Sequence, residues 1–127
     1  MAAVSRFTNR VVLVTGANRG IGLRLVQCIS AGSVRQVIAT CRVPGAATLL
    51  QACRAEHKDR VTILPLDTTK AAMVESVRKE VEAKWGCLDI LINNAGIATK
   101  GHPREPVLTA DPVHAGDIAR QAFTLPC

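Results

Sequence analysis

The sequence predicts an α/β fold in which helices cover both faces of a parallel β-sheet. Short apolar runs rich in Val and Ile alternate with longer segments of helical periodicity, and Gly or Pro punctuates the breaks between them. Strands that are buried on both faces give continuous apolar runs of this kind. The alternation therefore predicts a doubly wound sheet of about four strands with three helices, joined by right-handed crossovers in the strand order 3-2-1-4.

Four runs have the apolar character of buried strands, namely residues 11–14, 36–41, 61–66 and 88–92. The first helix is predicted from Ile21, because apolar residues then recur at helical spacing. A second helix is predicted from Pro44, which suits a first helical turn. A third helix is predicted after a cap at Thr68 or Thr69, and Gly86 ends it.

A glycine-rich turn follows the first strand and reads Thr15-Gly16-Ala17-Asn18-Arg19-Gly20-Ile21-Gly22. Its three glycines permit a tight turn, close approach of a phosphate to the backbone and close packing of the next helix. The start of that helix offers unpaired N–H groups and a partial positive charge. The turn is predicted to cradle a phosphate; the alternative is a purely structural turn. A Walker A loop is excluded, because no Gly-Lys-Ser/Thr ends the turn.

A second turn, Asn93-Asn94-Ala95-Gly96, follows the fourth strand. In the order 3-2-1-4 the topological switch point falls between strands one and four, and ligands of such sheets bind there, outside the carboxyl ends of the strands. Both turns are therefore predicted to lie at the ligand-binding edge of the sheet.

The two turns together resemble those of the classical short-chain dehydrogenase/reductase family. Thr15-Gly16-x-x-x-Gly20-x-Gly22 and Asn93-Asn94-Ala95-Gly96 match its motifs, and the resemblance runs from about Arg10 to Gly101. The segment Thr40-Cys41-Arg42 is similar, more loosely, to carbonyl reductases of the sniffer and C-factor type. The resemblance implies a Rossmann-type sheet, binding of NAD(H) or NADP(H), and hydride transfer between a nicotinamide and a carbonyl or alcohol.

The resemblance also implies which residues contact the cofactor. In this sequence they are Gly16, Asn18, Arg19, Gly20, Ile21, Gly22, Arg42, Asp67, Thr68, Asn94, Ala95 and Gly96. Asp67 resembles an acid that contacts the adenine ring, and a helix-capping carboxylate is an equally good interpretation. Asn93 resembles the asparagine that ties the central strands together, and the three residues after it resemble a turn along the adenosine ribose.

The choice between the two cofactors is predicted from charge. In dinucleotide-binding folds an acidic residue roughly 20 positions after the glycines receives the ribose 2′-hydroxyl, whereas a basic residue accommodates a 2′-phosphate. Counting from Gly22 reaches Arg42, and Cys41 beside it is not acidic. NADP(H) is therefore favoured over NAD(H), and Arg19 resembles a second basic position of NADP-preferring members. The alternative for Arg42 is a solvated loop charge.

The residues with which the family performs its chemistry are missing from this sequence. The family uses a Tyr-x-x-x-Lys element, a Ser that orients the substrate and an Asn that supports a proton relay. The chain has no Tyr, no Ser after Ser76 and no Asn after Asn94. We therefore expect an NADP(H)-dependent oxidoreductase by family that is inactive in this form, with a carbonyl substrate only in a full-length relative. The alternative is a non-catalytic NADP(H)-binding or partner-binding protein.

Residues 1–100 are predicted to form a partial Rossmann dinucleotide-binding domain that is incomplete on its C-terminal side. Residues 101–127 are predicted to be an irregular tail, because Pro103, Pro106 and Pro112 break any long element. If the sheet stops at strand four, the apolar edge of that strand invites association with another chain.

The composition bounds the class of protein. With 48% hydrophobic and 20% charged residues the chain is globular, and no apolar run approaches the roughly 20 residues that a bilayer needs, so no membrane span is expected. Five cysteines occur without a C-x-x-C pair, and three histidines lie apart from one another. This usage predicts reduced thiols in the cytoplasm rather than a metal site.

The net charge of +6 is distributed unevenly along the chain. Residues 1–60 contain nine Lys and Arg against two Asp and Glu, whereas residues 61–127 contain seven against eight. A polyanionic small ligand at the glycine turn explains this excess at least as well as nucleic acid does. Two Phe, one Trp and no Tyr are too few for a base-stacking surface, which makes nucleic acid an unlikely partner.

Overall fold

The computed structural model describes residues 6–94, and the predictions for Ala95, Gly96 and the tail at 101–127 lie outside these residues. The strands are β1 (Val11–Val14), β2 (Gln36–Cys41), β3 (Val61–Pro65) and β4 (Ile90–Ile92). The helices are α1 (Gly20–Ser30), α2 (Thr48–Glu56) and α3 (Ala71–Trp85), and a short 3-10 turn covers Pro44–Ala46.

The four strands form one parallel sheet in the order β3-β2-β1-β4, as predicted. In β1, Val12 lies opposite Val37 of β2 on one side and Ile90 of β4 on the other. β1 is therefore an interior strand with hydrogen-bonded neighbours on both sides. Because all strands run in one direction, the loops that follow them gather at one edge of the sheet, which we call the carboxyl edge. The residues that precede the strands form the opposite amino edge.

Hydrophobic cores cover both faces of the sheet. All four side chains of β1 are completely buried. Val12 and Val14 contribute to the core that includes residues of α1 and α2, whereas Val11 and Leu13 contribute to the core that includes residues of α3. This two-sided burial is the reason for the continuous apolar run in the sequence. Each fully buried valine or leucine stabilises the fold by about 1.5–3 kcal/mol through removal from water.

The starts of two helices differ from the prediction. α2 begins at Thr48 rather than at Pro44, because Ala47 has a φ of −88° and a ψ of 68° that interrupt the helical path. The prediction of a cap at Thr68 or Thr69 was wrong, since the residue that precedes α3 is Lys70 and no side chain caps the helix.

Polar contacts join β4 to β1 at the amino edge. The carboxylate of Asp89 accepts a hydrogen bond from the backbone N–H of Val11 at 2.8 Å and forms an ion pair with Arg10 at 3.4 Å. The backbone N–H of Asp89 donates to the carbonyl of Val11 at 3.0 Å. Among the described residues β4 pairs with β1, and association through its other edge stays a prediction.

Three of the described cysteines, Cys28, Cys41 and Cys53, are free thiols, and the last two are buried. Cys87 is disulfide-bonded, so the expectation of reduced thiols was wrong for this residue. Within residues 6–94 no helix has the length and apolar character needed to cross a bilayer. In the same range no three His, Cys, Asp or Glu side chains are grouped as metal ligands would be.

Because the core is buried, the same Ile→Ala substitution should lower the free energy of unfolding by different amounts at a buried and at an exposed position. Ile38 is completely buried against the α3 side of the sheet, whereas Ile21 is 74% exposed. We expect Ile38→Ala to lower the free energy of unfolding by about 2–5 kcal/mol, because it removes buried methylenes and leaves a cavity. Ile21→Ala is the matched control and should change it by less than about 0.5 kcal/mol. Urea denaturation measures both, and equal losses would contradict the burial of Ile38.

Candidate cofactor-binding site

The glycine-rich turn leaves β1 at the carboxyl edge and runs directly into α1. Gly16 and Gly20 have φ values of +62° and +59°, in the left-handed region that side chains rarely adopt. The backbone N–H of Ala17 donates to the carbonyl of Thr40 at the end of β2, at 2.9 Å. The turn is therefore fixed to the neighbouring strand before the helix begins.

Gly22 lies where α1 passes closest to the turn. A Cβ atom built at this position would lie 2.3 Å from the carbonyl oxygen of Gly16 and 2.6 Å from Nδ2 of Asn94. The backbone oxygen cannot move aside without reshaping the turn. Gly20 is different, because a Cβ there would meet nothing within 4 Å. Gly22 thus allows α1 to pack closely on the turn. Gly20 instead allows the positive φ of the backbone and leaves open space above the turn.

Polar groups from the end of β4 hold the same turn. The side-chain amide of Asn94 donates to the carbonyls of Thr15 and Gly16 at 3.3 and 3.2 Å. The hydroxyl of Thr15 accepts from the backbone N–H of Asn94 at 3.0 Å and lies 3.3 Å from Oδ1 of Asn93. Both asparagines thus tie β4 to β1, and Asn94 makes most of the contacts. Their partners lie 78 or 79 positions away in the chain.

A cavity of about 630 Å³ opens at the carboxyl edge above these contacts. Residues from the loops after β1, β2 and β3, together with the end of β4, line it. They are Gly16, Asn18, Arg19, Gly20, Cys41, Arg42, Val43, Ala46, Leu66, Asp67, Thr68 and Asn94. The cavity thus lies at the switch point between β1 and β4, where the sequence predicts the ligand site.

Eight of the predicted contact residues line this cavity, namely Gly16, Asn18, Arg19, Gly20, Arg42, Asp67, Thr68 and Asn94. Two others, Ile21 and Gly22, belong to the first turn of α1 and do not line it. Gly22 is buried beneath the turn, and Ile21 is exposed.

Four residues of the cavity wall were missed by the sequence analysis. Cys41 and Leu66 are the last apolar positions of two predicted strands, so their places at the carboxyl edge could have been inferred. Val43 and Ala46 belong to the irregular segment between β2 and α2, which the sequence analysis assigned in part to a helix. Val43 is 64% exposed despite its apolar side chain.

The cavity wall contains two cationic side chains and one anionic side chain. The guanidinium groups of Arg19 and Arg42 are exposed and form no ion pair within residues 6–94. Asp67 is the acidic residue of the wall, and its carboxylate accepts bonds from the hydroxyl and backbone N–H of Thr69, at 2.6 and 3.0 Å. These bonds, with smaller contributions from nearby cations, lower the pKa of Asp67.

The hydrogen bonds of Asp67 show whether its carboxylate caps helix α3. Its carboxylate bonds to Thr69 inside the turn before α3 rather than to the first turn of the helix, so the helix-capping interpretation was wrong. The thiol of Cys41 stays protonated at neutral pH, because burial raises its pKa. The end of β2 therefore presents no anion to the cavity, whereas Arg42 presents a cation.

The sequence pattern of the short chain dehydrogenase family matches residues 10–114, which include every element described above. The chain belongs to the short-chain dehydrogenase family. It is 38% identical over 92 residues to galactitol 2-dehydrogenase of Agrobacterium fabrum, covering 72% of this chain and 34% of that protein. It is 34% identical over 111 residues to dehydrogenase/reductase SDR family member 7C of Rattus norvegicus, covering 84% of this chain and 36% of the relative.

Among solved short-chain dehydrogenase structures, the fold is similar to that of a carbonyl reductase from chicken fatty liver, solved with NADPH bound. The TM-score is 0.77 at 37% sequence identity, covering 91% of this chain and 50% of the reductase chain. The chain thus spans about a third of the length of the curated relatives that it matches and half of this reductase.

The steric contact at Gly22 predicts a selective loss of stability. We expect Gly22→Ala to lower the free energy of unfolding by about 1–3 kcal/mol, because the new methyl group overlaps the carbonyl of Gly16. Gly45→Ala is the matched control, since a Cβ at Gly45 meets nothing within 4 Å. It should be neutral or stabilising by up to about 1 kcal/mol. Equal destabilisation of the two variants in urea would contradict the close contact.

The contacts of Asn94 predict a pH-dependent defect in Asn94→Asp. A carboxylate facing the carbonyls of Thr15 and Gly16 is repelled by both, so we expect a loss of about 1–3 kcal/mol at pH 7. The pKa of this carboxyl would be raised on folding, because only its protonated form can donate to the carbonyls. The loss should therefore be small below the ordinary aspartate pKa of about 3.9 and grow as pH rises through the raised value. Urea denaturation of both proteins across this range measures it, and a loss independent of pH would contradict it.

Proposed function

We propose that the carboxyl-edge cavity binds NADP(H), and that NAD(H) binds more weakly. The observation that carries the proposal is that Arg19 and Arg42 line the same cavity as the glycine-rich turn. The carbonyl reductase from chicken fatty liver, solved with NADPH, and a metagenomic short-chain oxidoreductase solved with NADP support it. The second protein is 26% identical to this chain, with a TM-score of 0.72.

The turn fits a pyrophosphate by its backbone geometry. The space above Gly20 is open, and the unpaired N–H groups at the start of α1 lie beside it. Such a helix start attracts anions through its donors and through roughly half a unit of positive charge. The role proposed for the turn is therefore to bind the phosphates that join the two halves of the dinucleotide.

Arg19 supports a phosphate at this turn, because an arginine at the start of α1 is unfavourable for the helix when no anion is bound. It occupies the N-cap of α1, its side chain caps nothing, and the first turn contains no acidic residue. Ser, Thr, Asp and Asn are favoured at this position, and a cation near a helix N-terminus costs about 0.3–1 kcal/mol. A bound phosphate reverses the sign of this interaction, since it lies between two positive groups.

Arg42 is the residue proposed to select the cofactor. It follows β2 directly and faces a cavity in which the neighbouring Cys41 carries no charge at neutral pH. A charge-assisted bond to the 2′-phosphate is worth about 1.5–3 kcal/mol, which is enough to favour NADP(H). No carboxylate at the end of β2 is present to receive the ribose hydroxyls of NAD(H).

The adenine ring is proposed to occupy the far side of the cavity, between the loops after β2 and β3. Val43 and Ala46 offer apolar surface there, and Asp67 and Thr68 offer polar groups. Asp67 is ionised at neutral pH and can accept a hydrogen bond from an exocyclic amine, because Thr69 occupies only its Oδ1 atom. This half of the ligand would be recognised by a mixture of apolar contact and hydrogen bonding.

The activity proposed for the family member as a whole is NADP(H)-dependent carbonyl or alcohol oxidoreduction. When bound, the nicotinamide supplies or accepts the hydride. The 127-residue chain contains no Tyr to supply the proton, and we propose that it binds the cofactor without turnover in this form. The second candidate, a non-catalytic NADP(H)-binding protein, is favoured by that same absence.

The proposed role of Arg42 predicts a reversal of cofactor preference. By calorimetry we expect Arg42→Asp to weaken NADP⁺ binding by about ten-fold or more and to strengthen NAD⁺ binding, because the carboxylate repels the 2′-phosphate and accepts ribose hydroxyls. Arg24→Asp is the matched control, since Arg24 is exposed on α1 and does not line the cavity. It should leave the preference unchanged.

Two results would count against the proposed function. Equal affinity of the unsubstituted chain for NADP⁺ and NAD⁺ would remove the role given to Arg42. Oxidation of NADPH by the chain with a panel of aldehydes and ketones would remove the proposed absence of turnover. Saturable binding without turnover is the outcome that both candidates share, and activity in a longer chain that restores the Tyr-x-x-x-Lys element would favour the oxidoreductase.

A further inference from the structure

The cofactor site accounts for only a small part of the positive charge in the first half of the chain. Of the nine Lys and Arg in residues 1–60, Arg19 and Arg42 line the cavity, and Arg24 lies on the outer surface of α1. The other six lie at the amino edge, on the opposite side of the sheet. This amino-edge cluster consists of Arg6, Arg10, Arg35, Arg54, Lys58 and Arg60.

Backbone contacts place three members of the cluster side by side. Arg10, Arg35 and Arg60 directly precede β1, β2 and β3. The N–H of Arg35 donates to the carbonyl of Arg10 at 3.0 Å. The carbonyl of Arg60 accepts from Val37, the second residue of β2, at 2.6 Å. Neighbouring strands are about 4.8 Å apart, so the three arginines form a row along the edge.

The other members lie close to this row. Arg54 is in the last turn of α2, which ends at the amino edge, and Lys58 lies in the turn from α2 to β3. Arg6 belongs to the segment before β1, where the N–H of Asn9 donates to the carbonyl of Ser33. The whole cluster is exposed. The cations therefore share one edge of the sheet and are open to solvent.

Only some of these cationic side chains contact a partner within the described residues. Arg10 pairs with Asp89, and Arg60 donates to the carbonyls of Ser30 and Gly32 near the end of α1. In residues 6–94, Arg35, Arg54 and Lys58 form no ion pair. The acidic residues of this edge are Glu56, Asp59 and Asp89, half the number of the cations.

We infer that the amino-edge cluster is an interaction surface for an acidic segment of a partner protein. Five of its six cations are arginines, whose planar guanidinium groups bind carboxylates through two parallel hydrogen bonds. A row of arginines at strand spacing matches an extended chain with several carboxylates. The surface faces away from the carboxyl-edge cavity, so the partner and the dinucleotide can bind together.

Two other polyanions fit the surface less well. Single-stranded RNA needs aromatic platforms, but the cluster contains none, and nearby Phe7 packs against the core. A membrane surface needs apolar side chains to insert beside the cations. The exposed large hydrophobic residues, Ile21, Val43 and Leu49, lie instead at or near the carboxyl edge, in or before the first turns of α1 and α2.

Fluorescence anisotropy with a fluorescein-labelled polyglutamate peptide and the full 127-residue chain tests the inference. We expect salt-sensitive binding that Arg35→Glu and Lys58→Glu each weaken by about three- to ten-fold. Arg24→Glu is the matched control and should leave the affinity unchanged. Asp59→Asn should strengthen binding, because it removes an acid from the surface. Unfolding curves of the four variants establish that each one folds.

The outcomes separate this inference from the proposed function. Saturating NADP⁺ should leave the peptide affinity unchanged, and the peptide should bind whether or not the dinucleotide does. The inference is overturned if the peptide does not bind at low salt, if Arg24→Glu weakens it as much as Arg35→Glu, or if NADP⁺ displaces it. Tighter binding of polyuridylate RNA or phosphatidylserine vesicles through the same residues would also overturn it.

Discussion

The carboxyl edge depends on one steric constraint, the contact between the first turn of α1 and the loop that leaves β1. At Gly22 the helix lies so close to the carbonyl of Gly16 that no side chain fits between them. β1 is completely buried and paired on both sides, so the beginning of the loop is fixed by the centre of the sheet. The helix start, with its unpaired N–H groups, is therefore held at a set distance from the strand. This geometry leaves an open space above Gly20 that a phosphate can fill.

The end of β4 holds the same glycine-rich turn in place from its other side. Asn94 bonds to the carbonyls of Thr15 and Gly16, and its Nδ2 occupies part of the space that a side chain at Gly22 would need. These hydrogen bonds hold both carbonyls against the end of β4. The pairing of β4 with β1 and the shape of the glycine-rich turn therefore depend on each other.

The fold could be predicted from local patterns because all residues of β1 and β2 are buried, the apolar runs of β3 and β4 are at least partly buried, and each helix buries one apolar face. The bounds of α2 could not, because the backbone at Ala47 rather than the proline at Pro44 sets the start of the helix. At the site, the glycines and Arg42 carried local signals. Val43 carried none, since an exposed apolar residue in a loop has no periodicity. The contacts of Asn94 join residues more than 70 positions apart, so only the assembled sheet reveals them.

All strands of the sheet run in one direction, so its carboxyl and amino edges differ electrostatically. The role of an arginine in this chain therefore depends on the edge at which it lies. Helices begin near the carboxyl edge and end near the amino edge, so cations are locally unfavourable at the first edge and favourable at the second. Arg60 follows this rule, because it donates to carbonyls near the end of α1. Arg19 violates it at the start of the same helix. A residue that opposes its local field is better explained by an absent anion than by stability. By this criterion Arg19 is strong support for a phosphate site. Arg35, which lies at no helix end and forms no side-chain ion pair in residues 6–94, is a member of the amino-edge cluster whose positive charge has no role in the fold.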